Sequence, residues 1–452
     1  MSGTSESKGM ALADVPDSRT LRNRVSARLF GGASGGVFRG MATLALGSGI
    51  GRVIGIAAIP ILTRLYSPED FGVLAVFTAL VAILAPLVTL RYVLALPLPR
   101  HDGVAMNLLA ISVGLMLVLS AVVALALWLG GEALLGLVSM QVLAPWWWLI
   151  ALGVLGTATY EMLTLWATRK RAYKVIAQTK VTQSAAGAVI KIALGLASLQ
   201  PLGLLVGQVV AQAGGIGRLM RGFLSEFRAS WRHVSRSRMR KAARRHRGFP
   251  IWRVPSQFLM VFSVQAPMLF IAALYDPQTT GQFGLAVMAL SVPINLLGRT
   301  TSQAFFAEAS LLGARRSSEI RTMLKSVMFR LGAVSVLPAL VLLVFGEPLF
   351  AFLFGGEWVQ AGLFAQALAI YLFFQFIQAP VAHVFNIFDG HRQLLFLNVQ
   401  RVALIAAVFG MSHGLSWTSE FAVWAYALTL SLHYALSAVY AYRFIPIRSR
   451  GR

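Results

Sequence analysis

Leu65-Tyr66-Ser67-Pro68-Glu69-Asp70-Phe71-Gly72 returns 209 positions later as Leu274-Tyr275-Asp276-Pro277-Gln278-Thr279-Thr280-Gly281. Each copy joins two long apolar runs, and the shared pattern is Leu-Tyr-x-Pro-x-x-x-Gly. In a chain of 452 residues this duplication predicts two similar halves related by a parallel repeat. Repeats of that kind build transport sites between two moving bundles of helices. A fainter echo agrees: Gly131-Glu132-Ala133-Leu134 follows the third apolar run, and Gly346-Glu347-Pro348-Leu349 follows the ninth. A Pro and a Gly at this spacing suit a tight loop, so Pro68, Gly72, Pro277 and Gly281 are the candidate hinge residues.

Composition places the duplication in a bilayer. Hydrophobic residues make up 57% of the chain and charged residues 12%, where a soluble protein carries about a quarter charged residues. The net charge of +24 invites a nucleic-acid partner, but the position of the charges argues against one. Eleven of the 40 Lys and Arg fall between Arg218 and Arg247, and most others sit in short gaps between apolar runs. Basic gaps of that kind face an anionic cytoplasmic leaflet. The chain has no cysteine, which excludes disulfides and thiolate metal sites. No second ligand stands near His383, so neither a metal nor a cofactor is expected.

Twelve apolar runs approach the ~20 residues that a helix needs to cross the hydrocarbon. They lie near 41–63, 71–90, 104–128, 143–166, 175–198, 201–220, 250–274, 282–305, 327–345, 361–387, 394–412 and 420–442. With the N-terminus inside, the inner gaps collect Arg91, Arg169, Lys170, Arg171, Arg315, Arg316 and Arg392, whereas the outer gaps hold a single basic residue, Arg64. The fold expected is an all-α polytopic membrane protein of twelve helices in two six-helix bundles. Its parts are a disordered basic tail (1–40), a first bundle (41–220), a basic linker (221–249), a second bundle (250–442) and a basic tail (443–452). No cleavable signal peptide is expected, because no short apolar region with a cleavage site precedes the first span. Both termini are expected on the cytoplasmic side.

An ionised side chain in mid-span costs at least about 2.5–3.5 kcal/mol on insertion scales, so each one needs a reason. Arg52 lies near the centre of the first span, beside Gly47, Gly51 and Gly55, a stripe suited to close helix packing. Thr179, Gln183, Gly187 and Lys191 share one helical face, as do Ser291, Asn295, Arg299 and Gln303. The seventh span carries Arg253, Gln257 and Gln265, the tenth Gln375, Gln378 and Asn386, and the eleventh Asn398 and Arg401. Arg253 lies one turn from an inner end, where snorkelling would also explain it. One polar residue per span is ordinary interhelical bonding; several amide rows, three with a cation, predict a hydrated positive cavity. Candidate substrate contacts are the cations Arg52, Lys191, Arg253 and Arg299 and the amides Gln183, Gln257, Asn295, Gln375, Gln378 and Asn386. Glu161, the one acid well inside a span, is the candidate coupling acid and a candidate ion-pair partner for Lys191. Guanidinium groups grip phosphate oxygens and amides serve hydroxyls, so the cavity suits a phosphate-linked glycan.

Pro60-Ile61-Leu62-Thr63-Arg64 leads into the first repeat motif, and Arg91-Tyr92 stands with Leu96-Pro97-Leu98-Pro99. The second half carries Gln265-Ala266-Pro267, Gly281-Gln282-Phe283-Gly284-Leu285-Ala286 and Phe354-Gly355-Gly356-Glu357-Trp358-Val359-Gln360-Ala361-Gly362. These stretches give a resemblance to the polysaccharide transporters, or O-antigen flippases, of the MATE-like MOP superfamily. The resemblance implies a MATE-like pair of bundles in a bacterial inner membrane that moves a polyprenyl-diphosphate-linked oligosaccharide outward by alternating access. Such a protein would work beside glycosyltransferases and a polymerase of the same pathway and rest on anionic lipids. Relatives often carry an acid directly after the Arg-Tyr pair, and this chain has Val93 there. Two other cargoes fit the same fold, a cationic drug or a peptidoglycan lipid precursor. An integral-membrane glycan polymerase fits less well, because such chemistry needs paired carboxylates that this sequence does not place on one face.

Overall fold

The computed structural model describes residues 35–99 and 101–449. The expectations placed on 1–34, on 450–452 and on the side chains of Asn295 and Arg299 lie outside the described residues. The first half holds α1 (Gly35–Leu65), α2 (Pro68–Leu84), α3 (Asp102–Gly136), α4 (Trp147–Arg169), α5 (Tyr173–Leu196), α6 (Leu202–Ala213) and α7 (Ile216–Trp231). After α8 (Arg236–Arg245), the second half holds α9 (Val254–Leu274), α10 (Pro277–Pro293), α11 (Arg299–Leu312) and α12 (Ser317–Phe354). It is completed by α13 (Val359–Gln378), α14 (Val381–Ile387), α15 (His391–Gly414) and α16 (Ser419–Ser449). Among the described residues there is no strand. The expected tails are partly helical, since α1 takes in 35–40 and α16 takes in 443–449.

Nine helical segments among the described residues are long and apolar enough to cross a membrane. The spans expected at 71–90, 175–198 and 282–305 do not reach that measure. The helices α2 and α10 are 17 residues each, and α5 carries Lys174, Lys180 and Lys191.

The duplicated motif builds the same local structure twice with different chemistry. Ser67 caps α2: its Oγ accepts from the Asp70 N–H at 3.2 Å, and the Asp70 carboxylate accepts from the Ser67 N–H at 3.0 Å. Asp276 caps α10, accepting the Thr279 N–H at 2.7 Å and the Thr279 hydroxyl at 2.8 Å. Acid and hydroxyl have traded places, and both pairs satisfy backbone donors that a helix start leaves open. Pro68 and Pro277 occupy the first helical position, where the missing N–H costs nothing. The tyrosines also act alike. Tyr66 donates to the Lys191 carbonyl on α5 at 2.7 Å; Tyr275 bonds Ser412 on α15 at 2.7 Å and donates to the Trp417 carbonyl at 3.1 Å.

The two copies also meet each other. A Cβ on Gly72 would run into the Pro277 carbonyl, and one on Gly281 would run into the Pro68 carbonyl. The glycines thus serve a backbone-to-backbone crossing of α2 and α10 rather than a turn, because only a residue without a side chain lets two helices approach so closely. Around this crossing the halves are sealed. The Trp358 indole donates to the Thr63 carbonyl at 3.1 Å and stands edge-on to Phe71 at 4.9 Å. Gln282 holds the turn that carries Trp358, donating to the Glu357 carbonyl at 2.6 Å and accepting the Ala361 N–H at 2.9 Å.

The hydrophobic core does not divide at residue 220. Ala58, Ile59, Leu62, Phe71 and Leu74, from α1 and α2, are buried in one cluster with Ala266, Phe283, Trp358 and Tyr426 of the second half. A separate cluster is drawn mainly from the first half, around Phe77, Tyr92, Leu108 and Trp166, with Ala242 of the linker and Ala272 of α9. The basic linker is folded onto that half. Asn107 of α3 donates to the His233 carbonyl at 2.9 Å and accepts the Ser235 N–H at 3.2 Å. Ser235 then caps α8, and Tyr92 donates to the Ala243 carbonyl at 3.3 Å. Arg236, Arg238, Arg240, Lys241, Arg244 and Arg245 remain exposed.

Candidate functional site

Two adjoining cavities lie at the junction of the halves. The first, of about 300 Å³, is lined by Arg52 and Gly55 of α1, Ser184 and Lys191 of α5, Gln208 of α6 and Ser291 of α10. The glycine stripe explains its wall. Gly47 packs on Ala177, and Gly51 packs on Ser184 and the Lys180 carbonyl, so α1 and α5 touch there. Gly55, one turn on, has nothing within 4 Å and opens onto the cavity. Close packing at one end and a gap at the other set Arg52 at the mouth of the wedge.

Lys191 reaches the cavity because Gly207 leaves room for its stem, and its ammonium donates to the Gln208 side-chain oxygen at 2.7 Å. Among the described residues it has no carboxylate partner, and no acid lines this cavity. Arg52, exposed, and Lys191, half-buried, thus face one cavity whose described lining holds no acid, and a half-buried cation such as Lys191 gains from a negative group that enters.

The second cavity, of about 350 Å³, is lined by Gln265, Phe283, Tyr371, Gln375 and Tyr426 of the second half, with Thr78 of α2. Gln208, Met288 and Ser291 line both cavities. The Gln375 side-chain oxygen is buried without a hydrogen-bond partner. In the lining, Tyr371 stands 5.7 Å from Tyr426, and it is 5.5 Å from Tyr434 behind. Arg401 donates to the Tyr434 hydroxyl at 3.4 Å and to Ser263.

The expected contacts are thus partly gathered. Arg52 and Lys191 share a cavity, and Gln375 lines its neighbour. Gln183 turns instead towards Tyr160 and Gly215 in the first half. Arg253 is exposed on a short π-turn before α9, and Asn386 is exposed on α14. Gln257 and Gln378 are half-buried and line neither cavity. The pairing weighed between Lys191 and Glu161 does not form: Glu161 takes Arg91 at 2.9 Å. The helix α5 points Lys191 at α6, whereas Glu161 on α4 faces the chain after α2. The pair also answers the departure at Val93, because the guanidinium finds its acid on another helix. A coupling role for Glu161 requires that ion pair to open.

Sequence reasoning missed Gln208, Tyr371 and Tyr426. Gln208 is a lone amide in an apolar run, and the tyrosines look like ordinary core aromatics. At the C-terminal end of α4, Asp102 and Glu226 gather Arg169 and Lys170. Burial works against the charge on Lys170, but its hydrogen bonds to Asp102 and Glu226 outweigh that and hold its pKa above the ordinary lysine value.

Comparison with known proteins gives a family and a fold. The polysaccharide biosynthesis protein family matches residues 61–363. No curated protein sequence matches the chain. Among solved structures, the lipid II flippase MurJ in an inward closed conformation aligns with TM-score 0.64 at 10% identity, covering 90% of each chain. A multidrug resistance MATE family transporter of the MOP superfamily aligns in its inward-facing conformation with TM-score 0.54 at 15% identity, covering 95% of this chain and 98% of that one. Its outward-facing conformation aligns with TM-score 0.55 at 15% identity, covering 94% and 98%. The chain shares the multi-helix fold of these structures.

Proposed function

The chain belongs to the polysaccharide biosynthesis protein family, and from that premise we propose that it flips a polyprenyl-diphosphate-linked oligosaccharide across the bacterial inner membrane by alternating access. The observation that carries this reading is Arg52 and Lys191 sharing one cavity, between the halves, whose described lining holds no carboxylate. A diphosphate is the anion such a pair suits, through charge-assisted hydrogen bonds. A cationic drug would need the opposite lining. The cargo's polyprenyl tail stays in lipid while the head group occupies the cavity.

In this reading the membrane holds twelve spans, with α2, α5 and the α10–α11 pair crossing among the more apolar helices, and both termini are cytoplasmic. The two bundles, 41–220 and 250–442, rock about the Pro68–Gly72 and Pro277–Gly281 crossing. The seal around Trp358 then closes the outer side. The exposed cations of α8 face anionic inner-leaflet headgroups. Glu161 serves as the coupling acid by releasing Arg91. Glycosyltransferases of the same pathway would supply the cargo and a polymerase consume it. The likeness to a lipid II flippase supports a second cargo, a peptidoglycan lipid precursor with the same diphosphate chemistry.

The test is an Arg52→Ala, Lys191→Ala double variant in cells that lack the native protein. Surface polysaccharide should disappear and lipid-linked glycan accumulate on the inner leaflet, with protein level and insertion unchanged. Normal surface polysaccharide in that strain would sink the assignment. The identity of the stranded glycan separates the two cargoes.

A further inference from the structure

The two cavities differ in chemistry, and that difference assigns a role to the second. The first is positive. The second, among its described lining residues, has no ionisable acid or cation but three amides and two phenol rings. We propose that the second cavity is a sugar subsite, holding the pyranose ring attached to the diphosphate while Arg52 and Lys191 hold the diphosphate next door. This rests on the flippase reading above and adds to it which half of the protein meets the sugar.

Three observations carry the assignment. First, the Gln375 amide oxygen is buried with no partner. An acceptor left in that state wants a donor, and a fully ionised diphosphate has none to give, whereas a sugar hydroxyl or acetamido N–H does. Turned into the cavity that Gln375 lines, this oxygen would meet a donor on the glycan and none on the anion. Second, Tyr371 and Tyr426 are lining residues of the cavity. The electron-rich face of an aromatic ring attracts the weakly positive C–H groups along one side of a pyranose. Tyr371 is held in place by Tyr426 and Tyr434, and Arg401 anchors Tyr434 from behind. Third, the cavities adjoin through Gln208. Its oxygen is taken by Lys191, so its amide nitrogen remains to donate to a sugar oxygen. A volume of about 350 Å³ lies at the lower end of small-ligand sites, about 300–1,000 Å³, which suits a single ring better than a whole repeat unit.

The experiment uses the full chain in lipid nanodiscs and two chemically defined probes: undecaprenyl diphosphate alone, and undecaprenyl diphosphate carrying one N-acetylhexosamine. Wild-type protein should bind the sugar-bearing lipid about tenfold more tightly, because a site built around hydrogen bonds to a hydroxyl discriminates against the molecule that lacks it. Gln375→Leu, which keeps the shape and removes the acceptor, should bring the two probes within about twofold of each other. Lys191→Ala should weaken both probes together and preserve their ratio. If Gln375→Leu fails to fold, Gln265→Ala and Tyr371→Leu, which removes the ring, carry the same expectation. Equal binding of both probes by wild type overturns the subsite and leaves the flippase reading standing. So does a full preference retained by the variants. Failure of wild type to bind either probe overturns the flippase reading and the subsite with it.

Discussion

The second helix of each half begins alike and ends differently. The helices α2 and α10 start at Pro68 and Pro277 and stop at Leu84 and Pro293, 17 residues each, so the repeat holds to the residue over this stretch. After α2 the chain abandons the helix. Pro86 cannot continue it, Leu90 and Arg91 adopt left-handed backbone at φ 43° and 58°, and Tyr92–Ala95 form a single tight turn. The irregular stretch is held by the Arg91–Glu161 pair. After α10 the break is brief. A π-turn over Ile294–Gly298 absorbs it, and α11 resumes at Arg299. Duplication thus preserves the part of the helix that meets its twin at the crossing and lets the far end diverge. The far end of α2 is answered by Glu161 of its own half and by the Ala243 carbonyl of the linker, whereas a change at the crossing must be answered by the other copy.

The comparison can be broken most decisively at the crossing. Gly72→Leu and Gly281→Leu should each destabilise the protein by on the order of 3 kcal/mol, since a side chain there meets backbone that cannot yield. Thermal unfolding of the purified protein reads the effect. Gly55→Ala, where nothing lies within 4 Å, should change stability by less than about 0.5 kcal/mol. A mild Gly281→Leu would mean that the two copies do not support each other.

The divergent ends give the next effect. Glu161→Ala leaves the Arg91 guanidinium, 8% exposed, without its counter-charge. Breaking a fully buried pair costs about 3–5 kcal/mol. Glu161 itself is 31% exposed, so solvent screening brings the expected cost to about 1–3 kcal/mol. The Arg91→Met, Glu161→Met double variant should recover most of it, and chemical denaturation would show whether it does. Failure of the double variant to recover would locate the cost in the left-handed backbone rather than in the charge.

The smallest effect sharpens the likeness at the helix starts. Ser67→Ala and Asp276→Ala should each cost about 1 kcal/mol. Transplanting the second cap into the first, Ser67→Asp with Asp70→Thr, should stay within about 0.5 kcal/mol of wild type, because Asp and Ser cap comparably. A larger loss in the transplant would show that acid and hydroxyl are not interchangeable at these two starts.

Much of the architecture was legible beforehand, and what was not had a consistent cause. The Leu-Tyr-x-Pro-x-x-x-Gly repeat announced two matched halves, and the two helix starts match position for position, with acid and hydroxyl exchanged. What the glycines were for was not legible, because a turn and a helix crossing favour the same residue. The Gly-Glu-x-Leu echo shows the limit. Gly346 lies against the Gly362 carbonyl at a tight α12–α13 contact, while Gly131 has only the Trp147 Cβ at 4.0 Å. Within the site, Arg52, Lys191 and Gln375 could be named because charge or amide in an apolar run is conspicuous. Gln183 and Asn386 were equally conspicuous and line neither cavity, since helical period does not say which neighbour a face meets.

The sequence by itself determined that this chain lives in a membrane, that it is built twice, and which side chains are costly there. Those are properties of single residues and short runs, governed by transfer out of water, and they survive without knowledge of the fold. Only the tertiary structure decided who meets whom: Gly72 with Pro277, Arg91 with Glu161 across 70 positions, and Trp358 with Thr63 across 295. It also decided that the cations and the tyrosine-lined amides occupy separate chambers. Partnerships over such distances depend on how helices rotate and cross, and that is set by packing of the whole bundle rather than by any one segment.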